Sequence, residues 1–245
     1  MPDLATLLLI ALLPAAGTLA GALVAEWRQP PPWLTGAALH AAAGIAAAVV
    51  AVELMPRAVG RGEQWLLAIG FMGGAVASIL LMRTTGWIRG RLGSGEGRAG
   101  LWGVYAAVAT DLLIDGLTTG AGSAVSGSLG LLLALSQVAA NIPGGFAVTA
   151  NFRAADVPRS RRLIAACAYP LTPVAGAAAG YLVLRGAGDV TMALALSFFA
   201  GLLLLATIEQ IVPEADKPGA PLRISSPAFA AGFILLMLMS AYLDV

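Results

Sequence analysis

The sequence predicts an all-α integral membrane protein with eight transmembrane helices. Three observations carry that prediction. Hydrophobic residues make up 59 % of the chain and charged residues 11 %, whereas a soluble domain carries about 25 % charged residues. Too few charges remain to coat a globule of this size, and the mean hydropathy of +0.86 agrees. Eight segments each offer about 20 mostly apolar residues, the length that crosses a hydrocarbon core as a helix. Glycine, with 30 residues, and alanine are abundant, which lets helix backbones approach closely in lipid. The net charge of +1 gives no reason to expect a nucleic-acid partner. The single cysteine, Cys167, excludes a disulfide framework and a Cys-based metal motif.

The eight expected spans cover residues 4–25, 33–56, 64–82, 101–122, 129–151, 163–184, 190–212 and 227–243 of one transmembrane domain. The first follows Met1-Pro2-Asp3 without a basic leader, so it reads as a retained span rather than a cleaved signal. Residues 83–100 are rich in Gly and Arg and read as a flexible linker. Residues 122–128 form a short turn, which makes spans four and five an antiparallel hairpin.

Basic residues set the orientation. The ends and loops after spans one, three, five and seven hold Arg28, Arg83, Arg89, Arg91, Arg98, Arg153, Arg159, Arg161, Arg162, Lys217 and Arg223. These are 11 of the 14 basic residues, and the opposite side holds Arg57, Arg61 and Arg185. The first set is therefore expected in the cytoplasm. Both termini are then extracytoplasmic, in a multi-pass protein of the inner or plasma membrane.

The fourth span carries Asp111 and Asp115 one helical turn apart, near its centre and with no Lys or Arg beside them. A charged side chain at that depth costs about 3 kcal/mol or more. Two on one segment must face a protein interior, a water-filled path or a bound cation. Span five carries Gln137 and Asn141 one turn apart, then Pro143-Gly144-Gly145. A mid-helix proline removes a backbone hydrogen bond, here exposing carbonyls near Ala139 and Ala140. With Thr118 and Thr119 the hairpin offers oxygen donors throughout. Gln137 and Asn141 read equally as bonds between neighbouring helices.

Span two contains His40, the sole histidine, and ends Glu53-Leu-Met-Pro56-Arg57. His40 reads as a packed, interhelical residue or as an additional ligand. Glu53 reads as half of an i,i+4 pair with Arg57 or as part of a cation pathway. Span seven ends Glu209-Gln-Ile-Val-Pro213-Glu214, an echo of span two, and Glu209 and Glu214 join the pathway candidates. The echo joins spans that run in opposite directions, the mark of a three-plus-two-plus-three inverted repeat.

Four stretches resemble the ZIP (Zrt/Irt-like) family of divalent-metal transporters. They are His40 to Pro56, Asp111 to Gly120, Ala140-Asn-Ile-Pro-Gly-Gly145 and Glu209 to Glu214. The resemblance covers nearly the whole length. It implies a ZIP-like 3+2+3 inverted-repeat bundle, a midplane metal site on spans four and five, and an elevator-like movement. The chain departs from the family pattern at named places. Asp111, Leu112, Ile114 and Asp115 stand where the family has His, Asn, Pro and Glu. Ala140 replaces His or Gln, Gly144 replaces a bridging Glu, and Tyr169 precedes Pro170 where the family often has Glu. Asn141 and Pro143 are kept. The resemblance thus implies one site rather than two, with Asp111, Asp115 and Asn141 as metal ligands.

The expected function is transport of a divalent cation such as Zn2+ or Mn2+, with the oxygen-rich set leaning to hard ions. A proton-linked transporter of another substrate and a non-transporting sensor or scaffold are the alternatives. No nucleophile–base pair or hydrolase metal motif points to an enzyme. The bilayer and the cation are the expected partners, and a homodimer stays open.

Overall fold

The computed structural model describes residues 3–27, 31–93, 98–217 and 221–243. It is all-helical, with no strand among those residues. Helix α1 runs over Leu4–Trp27 and pauses in a turn at Ala11 and Leu12. Pro14 follows that turn and cannot donate to the carbonyl of Ile10. The Asp3 carboxylate caps α1 by accepting from the Thr6 N–H at 2.9 Å, and the Thr6 hydroxyl first, then that N–H, hold its pKa below the ordinary range. Helix α2 spans Trp33–Val59, α3 Gln64–Gly93, α4 Arg98–Val125 and α5 Gly127–Ala154. Helix α6 covers Arg159–Leu184, α7 Asp189–Asp216 and α8 Leu222–Tyr242. Arg28 lies outside the described residues.

Among the described residues, seven of these helices are long and apolar enough to cross a membrane. The fourth expected span lies on α4. Its 28 residues give about 42 Å of helix, ample for a span.

The linker expected at 83–100 needs correction. Helix α3 continues to Gly93, and α4 begins at Arg98, with residues 94–97 outside the description. Extending a formed helix adds a hydrogen bond per residue without a new nucleus, and no proline intervenes. The turn between α4 and α5 is also tighter than expected. It reduces to Ser126, whose hydroxyl accepts from the Leu129 N–H at 3.1 Å and caps α5.

Two helices widen into a π turn at matching places. In α2 the π segment is Val49–Leu54, and in α7 it is Thr207–Ile211. The N–H of Met55 bonds back five residues to Val50, and that of Val212 five residues to Thr207. Pro56 and Pro213 explain both, since neither can donate to the carbonyl four residues earlier. Glu53 and Glu209 sit within these segments.

The helices sort into two bundles. In the first, α1 packs along α5, α4 along α6, and α4 against α5. In the second, α3 packs along α7, α2 along α8, and α2 touches α7. Exchanging α1, α2, α3 and α4 with α6, α7, α8 and α5 leaves these pairings unchanged. Glycines set the close approaches. A side chain at Gly21 would strike the Ile142 backbone, one at Gly120 the Ala177 backbone, one at Gly74 the Phe198 backbone and one at Gly232 the Ala41 backbone.

The larger apolar core gathers Leu7, Leu54, Leu129, Leu133, Ala121 and Ala124 toward the end where α4 meets α5. A smaller cluster, Val148, Phe152 and Ala165 with Tyr105 and Val108 against it, lies farther toward the other end. Asp111 and Asp115 fall between the two along α4. Apolar side chains such as Ile69, Met72, Val76 and Leu80 on α3 stay exposed, as a face in contact with lipid requires.

Candidate functional site

The site forms where α4 crosses α5 and α1. Helices α4 and α5 run antiparallel, which the ladder Asp115–Asn141, Thr119–Gln137 and Ser123–Gly130 shows directly. The i,i+4 spacing of Asp115 and Thr119, and of Gln137 and Asn141, places each pair on one helix face. The Asn141 amide donates to Asp115 Oδ2 at 2.6 Å and to the Pro14 carbonyl on α1 at 3.3 Å. The Gln137 amide donates to the Asp115 backbone carbonyl at 3.3 Å. The Thr119 hydroxyl donates to Gln137 Oε1 at 3.0 Å. Gln137 is thereby held by both of its functions as a link between α4 and α5.

Asp111 lies one turn before Asp115, exposed and within electrostatic reach of it. Asp115 is partly buried. Helix α5 passes through Pro143 unbroken, so the expected interruption there is limited to the hydrogen bond that proline cannot make. Among the described residues no cluster of three or more His, Cys, Asp or Glu could hold a metal ion. The oxygen set at the crossing counts two carboxylates and an amide, and it falls outside that definition.

The remaining candidates separate from this crossing. His40 is buried and bonds the Gly36 carbonyl through Nδ1 at 2.9 Å and Asp216 through Nε2 at 3.2 Å. Its partners are on α2 and α7, not α4. Glu53 is 1 % exposed and is held by Arg57 at 3.0 Å and by the Ser240 hydroxyl of α8. The i,i+4 pair with Arg57 is present, but it is buried rather than interfacial. Thr118 returns its hydroxyl to the Ile114 carbonyl at 2.9 Å. Glu209 is exposed, and Glu214 pairs with Lys217 at the exposed end of α7.

Glu26 was missed in the sequence. Its side chain is 7 % exposed and receives two bonds from Arg162, at 2.6 and 2.8 Å. Arg153 donates to the Ala25 carbonyl beside it. The nearest signal was a lone Glu at the end of an apolar span with an Arg-rich segment elsewhere, and pairing across 136 residues cannot be read from spacing. Pro14 was missed too, because a carbonyl has no signature in sequence.

Three carboxylates thus sit inside the helical body with different partners. Glu26 has Arg162 and Glu53 has Arg57. Asp115 makes no ion pair with Lys or Arg among the described residues, and a neutral amide stands against it. No protein-family model matches this chain, and no curated protein matches it.

Proposed function

We propose that the protein transports a divalent cation through the α4–α5 crossing, with Asp115 as its principal anionic ligand. One observation carries the reading. Asp115 is the internal carboxylate whose partner is an amide rather than a protein cation. An intramembrane carboxylate is costly unless compensated. Glu26 and Glu53 are compensated from within the chain. For Asp115 a cation from solution completes the charge balance. Asn141 contributes by rotating its amide so that the oxygen, rather than the NH2, faces the ion. Asp111 supplies a second carboxylate one turn along the path. An all-oxygen set of this kind suits hard ions such as Mn2+ better than Zn2+, which favours nitrogen and sulfur.

The exchange pattern of helix pairs and the two matching π segments support a ZIP-like inverted repeat. Inverted repeats place their substrate site between the halves. The Arg-rich ends of α3, α5 and α6 support cytoplasmic placement on that side and extracytoplasmic termini. The reading makes the protein a transporter and not an enzyme.

Reconstituted in liposomes, the protein should carry Mn2+, and the double variant Asp111→Ala/Asp115→Ala should reduce flux to the rate of empty vesicles. Flux equal to wild type in that variant sinks the reading. A second reading, a proton-linked transporter of another substrate, draws on the absence of a three-residue His, Cys, Asp or Glu cluster among the described residues. Flux that follows a pH gradient in metal-free buffer would favour it. No flux of either kind, in protein that stays folded, would point to a sensor or scaffold.

A further inference from the structure

We infer that α1 supplies an oxygen ligand to this site, the hydroxyl of Thr18. The inference rests on the cation-transport reading and extends it to a third helix.

The argument begins with Pro14. Its carbonyl accepts from Asn141 Nδ2, which is also bonded to Asp115, so α1 already reaches the crossing. In a helix the carbonyl of residue 14 points along the axis toward residue 18. Thr18 is therefore the next side chain on that face. Helices α1 and α5 run parallel, because Gly17 meets Val138 and Gly21 meets Ile142. Gly145, one turn beyond Asn141, packs on the Thr18 backbone. Thr18 thus sits one turn past the Pro14–Asn141 contact. On the antiparallel α4, one turn in the same direction from Asp115 is Asp111. Thr18 therefore lies on α1 at about the level of Asp111 on α4.

The Thr18 hydroxyl differs from those of four other helical threonines, though Ser78, Ser123 and Tyr169 also have buried hydroxyls without a partner. Thr84, Thr110, Thr118 and Thr207 each return the hydroxyl to the carbonyl four residues earlier, at 2.7 to 2.9 Å. That bond is the default for a helical threonine away from water. Thr18 is 0 % exposed, yet its Oγ1 has no hydrogen-bond partner in the structure. The carbonyl it would use, that of Pro14, is engaged by Asn141. A buried hydroxyl left unpaired is a cost that a bound ion would remove. A neutral oxygen such as a hydroxyl is also a donor that hard, oxygen-seeking divalent cations accept.

The test uses full-length protein in detergent with Mn2+ as the probe. Calorimetric titration gives the affinity, and melting with and without Mn2+ gives an independent readout. Thr18→Val keeps the volume and removes the oxygen, Thr18→Ser keeps the oxygen, and Asp115→Asn serves as the reference. The expected result is about tenfold weaker Mn2+ binding in Thr18→Val and binding within about twofold of wild type in Thr18→Ser. Metal-free Thr18→Val should melt no lower than wild type, because a ligand hydroxyl contributes nothing to the empty fold. Wild-type Mn2+ affinity in Thr18→Val, with binding lost in Asp115→Asn, overturns this inference and leaves the cation site standing. Absence of Mn2+ binding and Mn2+ flux in the wild type overturns both.

Discussion

The two bundles treat internal charge in different ways. In the second bundle, of α2, α3, α7 and α8, each internal charged or titratable group highlighted above has a strong partner. Glu53 is held by Arg57 and Ser240, and His40 by Asp216 and the Gly36 carbonyl. In the first bundle, of α1, α4, α5 and α6, Glu26 is closed off by Arg162 at one end. Nearer the middle, Asp115 meets only amide donors and Thr18 meets nothing. The difference teaches that an intramembrane carboxylate does not by itself mark a site. What marks one is a carboxylate whose compensation the chain does not supply.

The largest effects would come from breaking either bundle outright. Gly21→Leu in the first and Gly74→Leu in the second drive a side chain into backbone, with no flexible neighbour to give way. Overpacking of this kind costs about 1–3 kcal/mol, sometimes more. Both variants should lose most of their monodisperse peak in size-exclusion chromatography, and a normal peak in either would refute the close approach described.

Next in size is Glu53→Ala. It strands Arg57 and the Ser240 hydroxyl inside the second bundle, at a cost of about 1–3 kcal/mol. The melting temperature should fall while Mn2+ affinity stays within about twofold of wild type. A collapse of affinity at unchanged stability would move the site into the second bundle and reverse the comparison. Asn141→Ala should lower both. Mn2+ binding weakens about tenfold, equivalent to about 1.4 kcal/mol, beside a fall in melting from the lost bonds to Asp115 and Pro14. The smallest effect belongs to Lys217→Ala. Its pair with Glu214 is exposed at both ends, and such pairs contribute about 0–1 kcal/mol. Neither stability nor affinity should change measurably.

Much of the helical framework was legible from apolar length alone, because lipid makes hydrophobic runs unambiguous. Helix α4 was legible in the same way, its two aspartates standing out against an apolar run. Residues 83–93 read as a linker because a Gly- and Arg-rich composition is that of a loop as well as of a polar helix extension. The ladder from Asp115 to Asn141 and from Thr119 to Gln137 could be anticipated from i,i+4 spacing on two antiparallel helices. The echo of Glu53 and Glu209 was visible as a sequence pattern, yet the π turns and opposite fates of the two residues were not. Glu53 is buried and paired whereas Glu209 is exposed. The same local pattern acquires a partner only when another helix brings one, and Ser240 is 187 positions away. His40 followed the same logic, with Asp216 as a partner that no local spacing reveals.

The central claim is that a cation from solution takes the place at Asp115 that arginine takes at Glu26 and Glu53. Crystals of the full-length protein soaked in Mn2+ and measured at the manganese absorption edge test it most directly. A single anomalous peak should lie within about 2.6 Å of an Asp115 carboxylate oxygen, the outer limit for hard-cation contacts to oxygen. The Asn141 amide should be turned so that its oxygen faces that peak. Manganese bound elsewhere, with Asn141 still donating to Asp115, would contradict the account.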